Sequence, residues 1–311
     1  MSFAGAMLIA MVIDAAIGWP DALFLRIGHP VTWLGRLIAT LDARLNGGRA
    51  RRAAGVLTAL VVIGLAGGIG AVAWALLPGG WPGTLIAGVL AWPLVAVRSM
   101  HQHVAAVARP LASGDLEGAR HAVSMIVGRD PARLDAAGVA RAATESLAEN
   151  TSDGIVAPLF WGAVAGLPGI AAYKAINTLD SMIGHRTPRH EAFGWASARI
   201  DDGVNLAPAR LSGLIFALAS PAPRAALRCM MRDARHHRSP NAGWPEAAMA
   251  GALGVRLSGP RVYGDRIAQE PWVNDGAPDP TAADLNRALA LYRRAMLGVA
   301  GILAGLAVWG W

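Results

Sequence analysis

Glu145, Glu149 and Asp153 recur at every fourth residue, which on a helix stacks carboxylates along one face, with Asn150 beside them. Like charges at that spacing repel. A hard cation such as Mg²⁺, which takes oxygen ligands, would turn the repulsion into binding, although a solvated acidic face is the simpler account of the spacing alone. The segment that follows, 155–161, is apolar and carries this cluster to a membrane boundary. A second polar group lies in 173–186, where helical spacing sets Lys174, Asn177 and Ser181 on a common face, with Asp180 three residues beyond Asn177 and His185 and Arg186 after it. Lys174 is the only lysine among 28 lysines and arginines. A compact ammonium suits a phosphoryl oxygen, whereas arginine suits planar, bidentate pairing; a lysine snorkelling to a membrane interface is the alternative. The third group, 199–210, offers Asp201, Asp202, Asn205 and Arg210. One aspartate is a metal candidate while the other orients a ligand or pairs with Arg199 or Arg210, and a helix cap would also account for them.

Between residues 145 and 202 the acids Glu145, Glu149, Asp153, Asp180, Glu191, Asp201 and Asp202 face only Lys174, Arg186, Arg189 and Arg199. In an otherwise basic chain that local reversal favours a metal-assisted site over a nucleic-acid surface. The stretch 239–246, with Asn241, is a turn rich in backbone donors. His101 and His103 turn to different helical faces, and His236 and His237 sit among arginines, so neither pair reads as a zinc site. No GxxxxGK[ST], GxSxG or GxGxxG motif stands in a matching context, so a nucleotide would need a less familiar cradle.

The elements that must hold these groups are set by an oily composition. The 311 residues are 54% hydrophobic and 16% charged, with mean hydropathy +0.39, against about 25% charged in soluble domains. A single cysteine, Cys229, excludes a disulfide framework and multi-cysteine metal sites. The net charge of +7 fits the basic cytoplasmic loops of membrane proteins better than nucleic acid, and no removable signal peptide is expected. About 20 apolar residues are needed to cross a bilayer; segments 3–19, 54–77, 83–97 and 295–311 are the expected crossings, the last ending in Trp309 and Trp311 at the headgroup level. Segments 155–172 and 211–222, broken by Pro158, Pro168 and Pro221, are expected to be re-entrant or buried helices. The arginines between residues 26 and 52 place that loop in the cytoplasm. The polar middle is helical in pattern over 135–150, with another helix opening at 114–117. Residues 259–284 read as a long surface loop, and no useful alternating strand run occurs. The expectation is an all-α, polytopic integral membrane protein with about four transmembrane helices plus re-entrant or buried helices. Its regions are 1–98 in the membrane with a basic loop, 99–294 as a cytoplasmic or re-entrant helical catalytic region, and 295–311 as a final crossing.

Taken together, these residues resemble the CobD/CbiB family, adenosylcobinamide-phosphate synthases of cobalamin biosynthesis, over nearly the whole chain. The resemblance is carried by Asp14 with Gly18 and Pro20, His29-Pro30-Val31 with Gly35, Arg129-Asp130, Glu145 to Asn150 with Asp153-Gly154, Tyr173-Lys174 through Gly184, Asp201-Asp202 with Asn205, Pro208 to Arg210, and Ser239 to Gly243. One departure stands out: the family's early Gly-Asp-Pro is here Gly18-Trp19-Pro20, with Asp21 afterwards.

The resemblance implies an ATP-dependent amide ligation between the propionate of adenosylcobyric acid and (R)-1-amino-2-propanol O-2-phosphate or a related aminoalkyl phosphate. It implies ATP and Mg²⁺ as cofactors, and a multi-pass place in the bacterial cytoplasmic membrane with the active site facing the cytoplasm. Partners would be the corrinoid, the aminoalkyl phosphate, membrane lipid and other cobalamin-assembly enzymes, with no nucleic acid. On that reading Glu145, Lys174, Asp180 and His185 are catalytic, with Glu145 or His185 taking the amine proton. Glu149, Asp153, Asp201 and Asp202 are metal ligands, with Asp180 a further metal candidate. Asn150, Asn177, Ser181, Arg186, Asn205, Arg210 and Asn241 bind substrate or nucleotide. A non-enzymatic polytopic protein, a transporter or a signalling relative of the fold, is the competing reading.

Overall fold

Capping chemistry marks the helix starts. The side chains of Ser2, His29, Asp115 and Asp135 each accept a first-turn backbone amide, satisfying a donor that a helix N-terminus leaves unpaired. In this computed structural model, which describes residues 1–128, 130–263 and 266–310, the chain runs through α1 (Phe3–Ile17), α2 (Asp21–Ile27), α3 (Pro30–Leu45), α4 (Arg51–Leu76), α5 (Gly80–Ala91), α6 (Val97–Ala112) and α7 (Leu116–Ser124). It continues through α8 (Ala136–Thr151), a π-helical segment Ser152–Val156, α9 (Ala157–Ile183), α10 (Trp195–Val204), α11 (Leu206–Ala219), α12 (Pro223–Asp233), α13 (Gly243–Leu253) and α14 (Ala282–Val308). Short strands β1 (Leu257–Ser258), β2 (Arg261–Tyr263), β3 (Arg266–Ala268) and β4 (Trp272–Val273) pair antiparallel, β1 with β4 and β2 with β3. Arg129 and Trp311, named above for the family pattern and the aromatic end, lie outside the described residues.

The segment 259–284 is therefore not one long loop. Leu257 opposes Val273 and Ser258 opposes Trp272 in a small ladder. Around it, the Trp272 ring lies under the Arg141 and Arg256 guanidinium groups, 4.7 and 4.1 Å from its centroid. Asp279 pairs with Arg256 at 2.6 Å and also with Arg141. Gly259, at φ +83°, leaves the space that the Trp272 ring occupies; a Cβ there would lie 2.5 Å from the ring.

Two units organise the chain. The first comprises Met1–Ala96, Ala157–Asn205 and Ala300–Trp311; the second comprises Val97–Val156 and Leu206–Val299. In the first, α4 turns Gly55, Ala59, Val62, Ala66 and Gly70 inward. A Cβ at Gly70 would fall 2.6–2.8 Å from the backbone of Leu167 and Pro168, so this close helix approach is permitted only by the missing side chain. The core there gathers Ile38, Ala59, Val62, Ala175, Leu179, Ile183 and Phe193. The opposite face of α4 exposes Leu57, Leu60, Leu65, Ile69 and Val72, a surface suited to lipid. In the second unit α11, α12 and α13 pack through small residues: Gly213 lies against Met230 and the Trp244 backbone, and Gly251 against Cys229 and Ala226.

Among the described residues, four helical stretches are long and apolar enough to cross a membrane: Arg51–Leu76, Gly80–Ala112, Ala136–Ile183 and Ala282–Val308. The count matches the sequence expectation but the membership differs. Segment 3–19 forms only the 15-residue α1, about 22 Å long at 1.5 Å per residue. Gly18 at φ +62° ends it, and the chain bends by 110° into Asp21–Leu45, a broken span or a re-entrant loop. Segment 155–172 belongs instead to the long stretch 136–183, with the helix broken where Ala165 and Gly166 leave helical geometry just before Pro168.

Candidate functional site

α9 buries Ala175, Ile176, Leu179 and Ile183 against the first unit's core, and that choice of inner face decides what the outer face presents. Lys174, Asn177, Asp180 and Gly184 are half-buried along the other side, with Ser181 and His185 exposed beside them. The helical spacing read from the sequence is thus realised as one polar stripe at the C-terminal end of α9. The stripe is ordered by local bonds: the Ser181 hydroxyl donates to the Asn177 carbonyl at 2.8 Å, and the Thr178 hydroxyl to the Lys174 carbonyl at 2.7 Å. Gly184 makes room for the Asp180 carboxylate, because a Cβ at 184 would fall 2.0 Å from Asp180 Oδ1.

The third group joins this stripe in the same unit. Tyr173, fully buried, donates from its hydroxyl to Asn205 Oδ1 at 2.9 Å, and Asn205 Nδ2 donates to Asp201 Oδ2 at 3.0 Å. The Trp161 indole donates to the Val204 carbonyl at 3.0 Å, fixing the end of α10. Asp202 pairs with Arg199 at 3.6 Å, as one of the sequence alternatives held. Both Asp202 and His185 lie close enough to Asp180 to act electrostatically on its carboxyl group. Arg186 is exposed just beyond, in a loop clamped at its far end by Arg189, whose guanidinium donates to Asp42 at 2.6 Å.

Sequence reasoning gave no role to His29, yet the Lys174 ammonium lies near enough to act on its imidazole. His29 Nδ1 accepts the Val31 amide at 3.2 Å, which leaves Nε2 to carry the proton of the neutral ring. Trp19, the residue between Gly18 and Pro20, donates from its indole to the Gly28 carbonyl at 3.2 Å and packs edge-on to His29 at 5.0 Å. Asp21 lies in the exposed first turn of α2, where a carboxylate favours the helix N-terminus. The signal for His29 was its place directly before Pro30, at the cap of α3.

The second unit holds the remaining candidates. Glu145 is buried and accepts the Ser258 amide at 2.7 Å, so it anchors β1 to α8. Glu149 and Asn150 are exposed at the end of α8, where Asn150 Nδ2 donates to the Ser146 carbonyl at 2.9 Å. Asp153 sits in the π-helical segment, a helix irregularity that often accompanies functional sites. Arg210 lies 4.4 Å over the Trp244 ring and donates to the Leu206 carbonyl at 2.6 Å. Asn241 is buried in the turn before α13. Nearby, and unnoticed in the sequence, buried His237 and Glu246 lie 3.7 Å apart.

For Mg²⁺ the donor chemistry is the relevant test. Among the described residues no group of three or more His, Cys, Asp or Glu is placed to hold a metal by itself. Mg²⁺ asks for less, since it is commonly bound by one or two carboxylates together with substrate phosphates. The carboxylates here meet that lesser demand in chemical type: Asp202 is near enough to act on Asp180, and Asn205 orients Asp201.

Comparison with known proteins places these residues in a lineage. Residues 7–292 match the family described as CobD/Cbib protein. "Cobalamin biosynthesis protein CobD" of Rhodobacter capsulatus is 70% identical over 309 residues, covering 99% of this chain and 98% of that one. The protein of the same name from a Sinorhizobium species is 47% identical, covering 96% and 97%, and that from Brucella suis 46%, covering 97% and 96%. No solved structure matches. With the family pattern spanning most of the chain and relatives aligned end to end, the chain belongs to the CobD/CbiB family.

Proposed function

We propose that this protein is an ATP-dependent carbon–nitrogen ligase joining the propionate of adenosylcobyric acid to (R)-1-amino-2-propanol O-2-phosphate, or a related aminoalkyl phosphate, to give adenosylcobinamide phosphate. The observation that carries the reading is the polar C-terminal end of α9, which sets the Lys174 ammonium and the Asp180 carboxylate along one side of the helix, with the His185 imidazole exposed just past the helix end and near enough to act on Asp180. The full-length likeness to relatives named for cobalamin biosynthesis supplies the pathway.

A carboxylate and an amine do not condense unaided in water. Activation divides the reaction into two steps: a propionate oxygen attacks phosphorus and ADP leaves, then the amine nitrogen attacks the acyl phosphate carbon and phosphate leaves. Mg²⁺, when bound with ATP, would neutralise charge on the transferring group, and Asp180, Asp201 and Asp202 would hold it. Lys174 binds phosphoryl oxygens as a point charge. Arg186 adds a second cation from the exposed loop. His185 takes the proton lost by the amine; it is exposed just past the end of α9 and near Asp180, whereas Glu145 already accepts the Ser258 amide. Asn177, Ser181 and Asn205 provide neutral hydrogen bonds for the nucleotide or the amide-rimmed corrinoid. The catalytic face lies toward the cytoplasm, where ATP is.

The test is ATP hydrolysis by detergent-purified protein with each substrate omitted in turn. A ligase of this kind sustains ADP release over many turnovers only when both corrinoid and aminoalkyl phosphate are present; with the corrinoid alone, release stops at about one ADP per active site. Sustained ADP release that ignores the amine, or none with all three substrates and Mg²⁺, contradicts the reading, and corrinoid uptake by sealed vesicles without ligation would favour a transporter.

A further inference from the structure

α11 and α12 carry two exposed stripes of opposite character in direct succession. On α11, Ala207, Leu214 and Leu218 are exposed and Leu211 half-buried between them, at helical spacings of four, three and four. The helix has 14 residues, about 21 Å, and is too short to span a bilayer by itself. After Ser220 and Pro221, α12 repeats the spacing with Arg224, Arg228 and Met231, and Arg235 extends it beyond the helix end; all four are exposed. Its other face, Ala226, Cys229, Met230 and Asp233, is buried against α13.

The charges on the two sides of α12 are not equivalent. Arg232 is held by Asp233 at 2.6 Å, and Arg238 lies 3.5 Å from Glu270. Arg224, Arg228 and Arg235 have no acidic partner among the described residues. Three uncompensated cations therefore flank Met231, which is 60% exposed. A soluble polyanion would account for the arginines but not for an adjoining row of exposed leucines. An apolar row followed by a basic row is the pattern of a helix pair lying at a lipid–water boundary.

We propose that α11 and α12 dock on anionic phospholipid, with Leu211, Leu214 and Leu218 entering the acyl boundary and Arg224, Arg228 and Arg235 meeting headgroup phosphates. The surface shares no residue with the α9 stripe, and the proposal stands whether or not the ligase reading does. Each such arginine is worth about fivefold in association with an anionic surface.

A spin label at position 231, introduced as M231C in a C229A background of the full-length protein, reports the local environment. In nanodiscs of phosphatidylglycerol the label should be shielded from a neutral, water-soluble nickel chelate by about fivefold or more relative to phosphatidylcholine nanodiscs. Adding R224Q, R228Q and R235Q should remove the difference, and L214N with L218N should reduce it, while R133Q, an exposed arginine elsewhere in the same unit, leaves it intact. Equal nickel access in both lipids overturns the proposal. So does shielding in phosphatidylcholine on adding soluble glycerol phosphate, which would mark a site for free phosphate. Helix content by circular dichroism, unchanged in the glutamine variant, separates lost docking from lost fold.

Discussion

At the residue scale the account turns on Lys174 and its neighbours. Replacing Lys174 with arginine keeps the charge but trades a compact ammonium for a planar fork. Turnover should fall about tenfold, and about 100-fold or more for Lys174→Ala, with elution from gel filtration unchanged. Normal turnover in Lys174→Ala would remove Lys174 from the chemistry. Gly184 offers a subtler probe. A methyl group at 184 would press on the Asp180 carboxylate, so Gly184→Ala should lower turnover while the protein stays folded, whereas Gly47→Ala, where a Cβ meets nothing, should leave it unchanged. The relation of Lys174, Asn177 and Ser181 was legible because helical periodicity is local. The electrostatic relation of Lys174 to His29 was not, because it joins positions far apart in the sequence.

At the element scale the same division holds. The caps Asp115 and Asp135 were readable as helix starts, each from a few adjacent residues. The β1–β4 ladder was not, since its strands are two residues long and its anchor, Glu145 to Ser258, spans 113 positions. Two predictions belong here. Burial, with Asp233 alongside, pushes the Cys229 thiol up to about 12, so the chain's single cysteine should resist alkylation near pH 8 while folded and react on denaturation. Rapid labelling of the native protein would show that α12 does not pack on α13 as described. The second concerns Asp279. The Arg256 hydrogen bond, aided by Arg141 and opposed by burial, holds its carboxyl below the usual carboxylate range. A depressed folded value adds stability above the unfolded value of about 3.9, and that stability is lost as pH falls from there through the folded value. Limited proteolysis within 257–279 should therefore accelerate in that acidic window. In Asp279→Asn it should be faster at neutral pH already and change less with acid; identical profiles would contradict the pairing.

At the scale of the whole molecule, composition announced a membrane protein, and the described residues supply four stretches able to cross a bilayer. Hydropathy could count them but could not assign them, because α1 is cut short by Gly18 while the break at Gly166 leaves a stretch long enough to span. Exposed leucines on α4 and the leucine row of α11 imply that the intact protein requires detergent or lipid to stay dispersed, measurable as loss from the supernatant on detergent removal. The most direct test of function is the mass of the corrinoid after purified protein is incubated with adenosylcobyric acid, aminopropanol phosphate and Mg-ATP, alongside Asp180→Asn. The native protein should yield a product heavier by the amine less one water, and Asp180→Asn should yield almost none. An unchanged corrinoid mass with the folded native protein, or equal product from both, would contradict the ligase and its site.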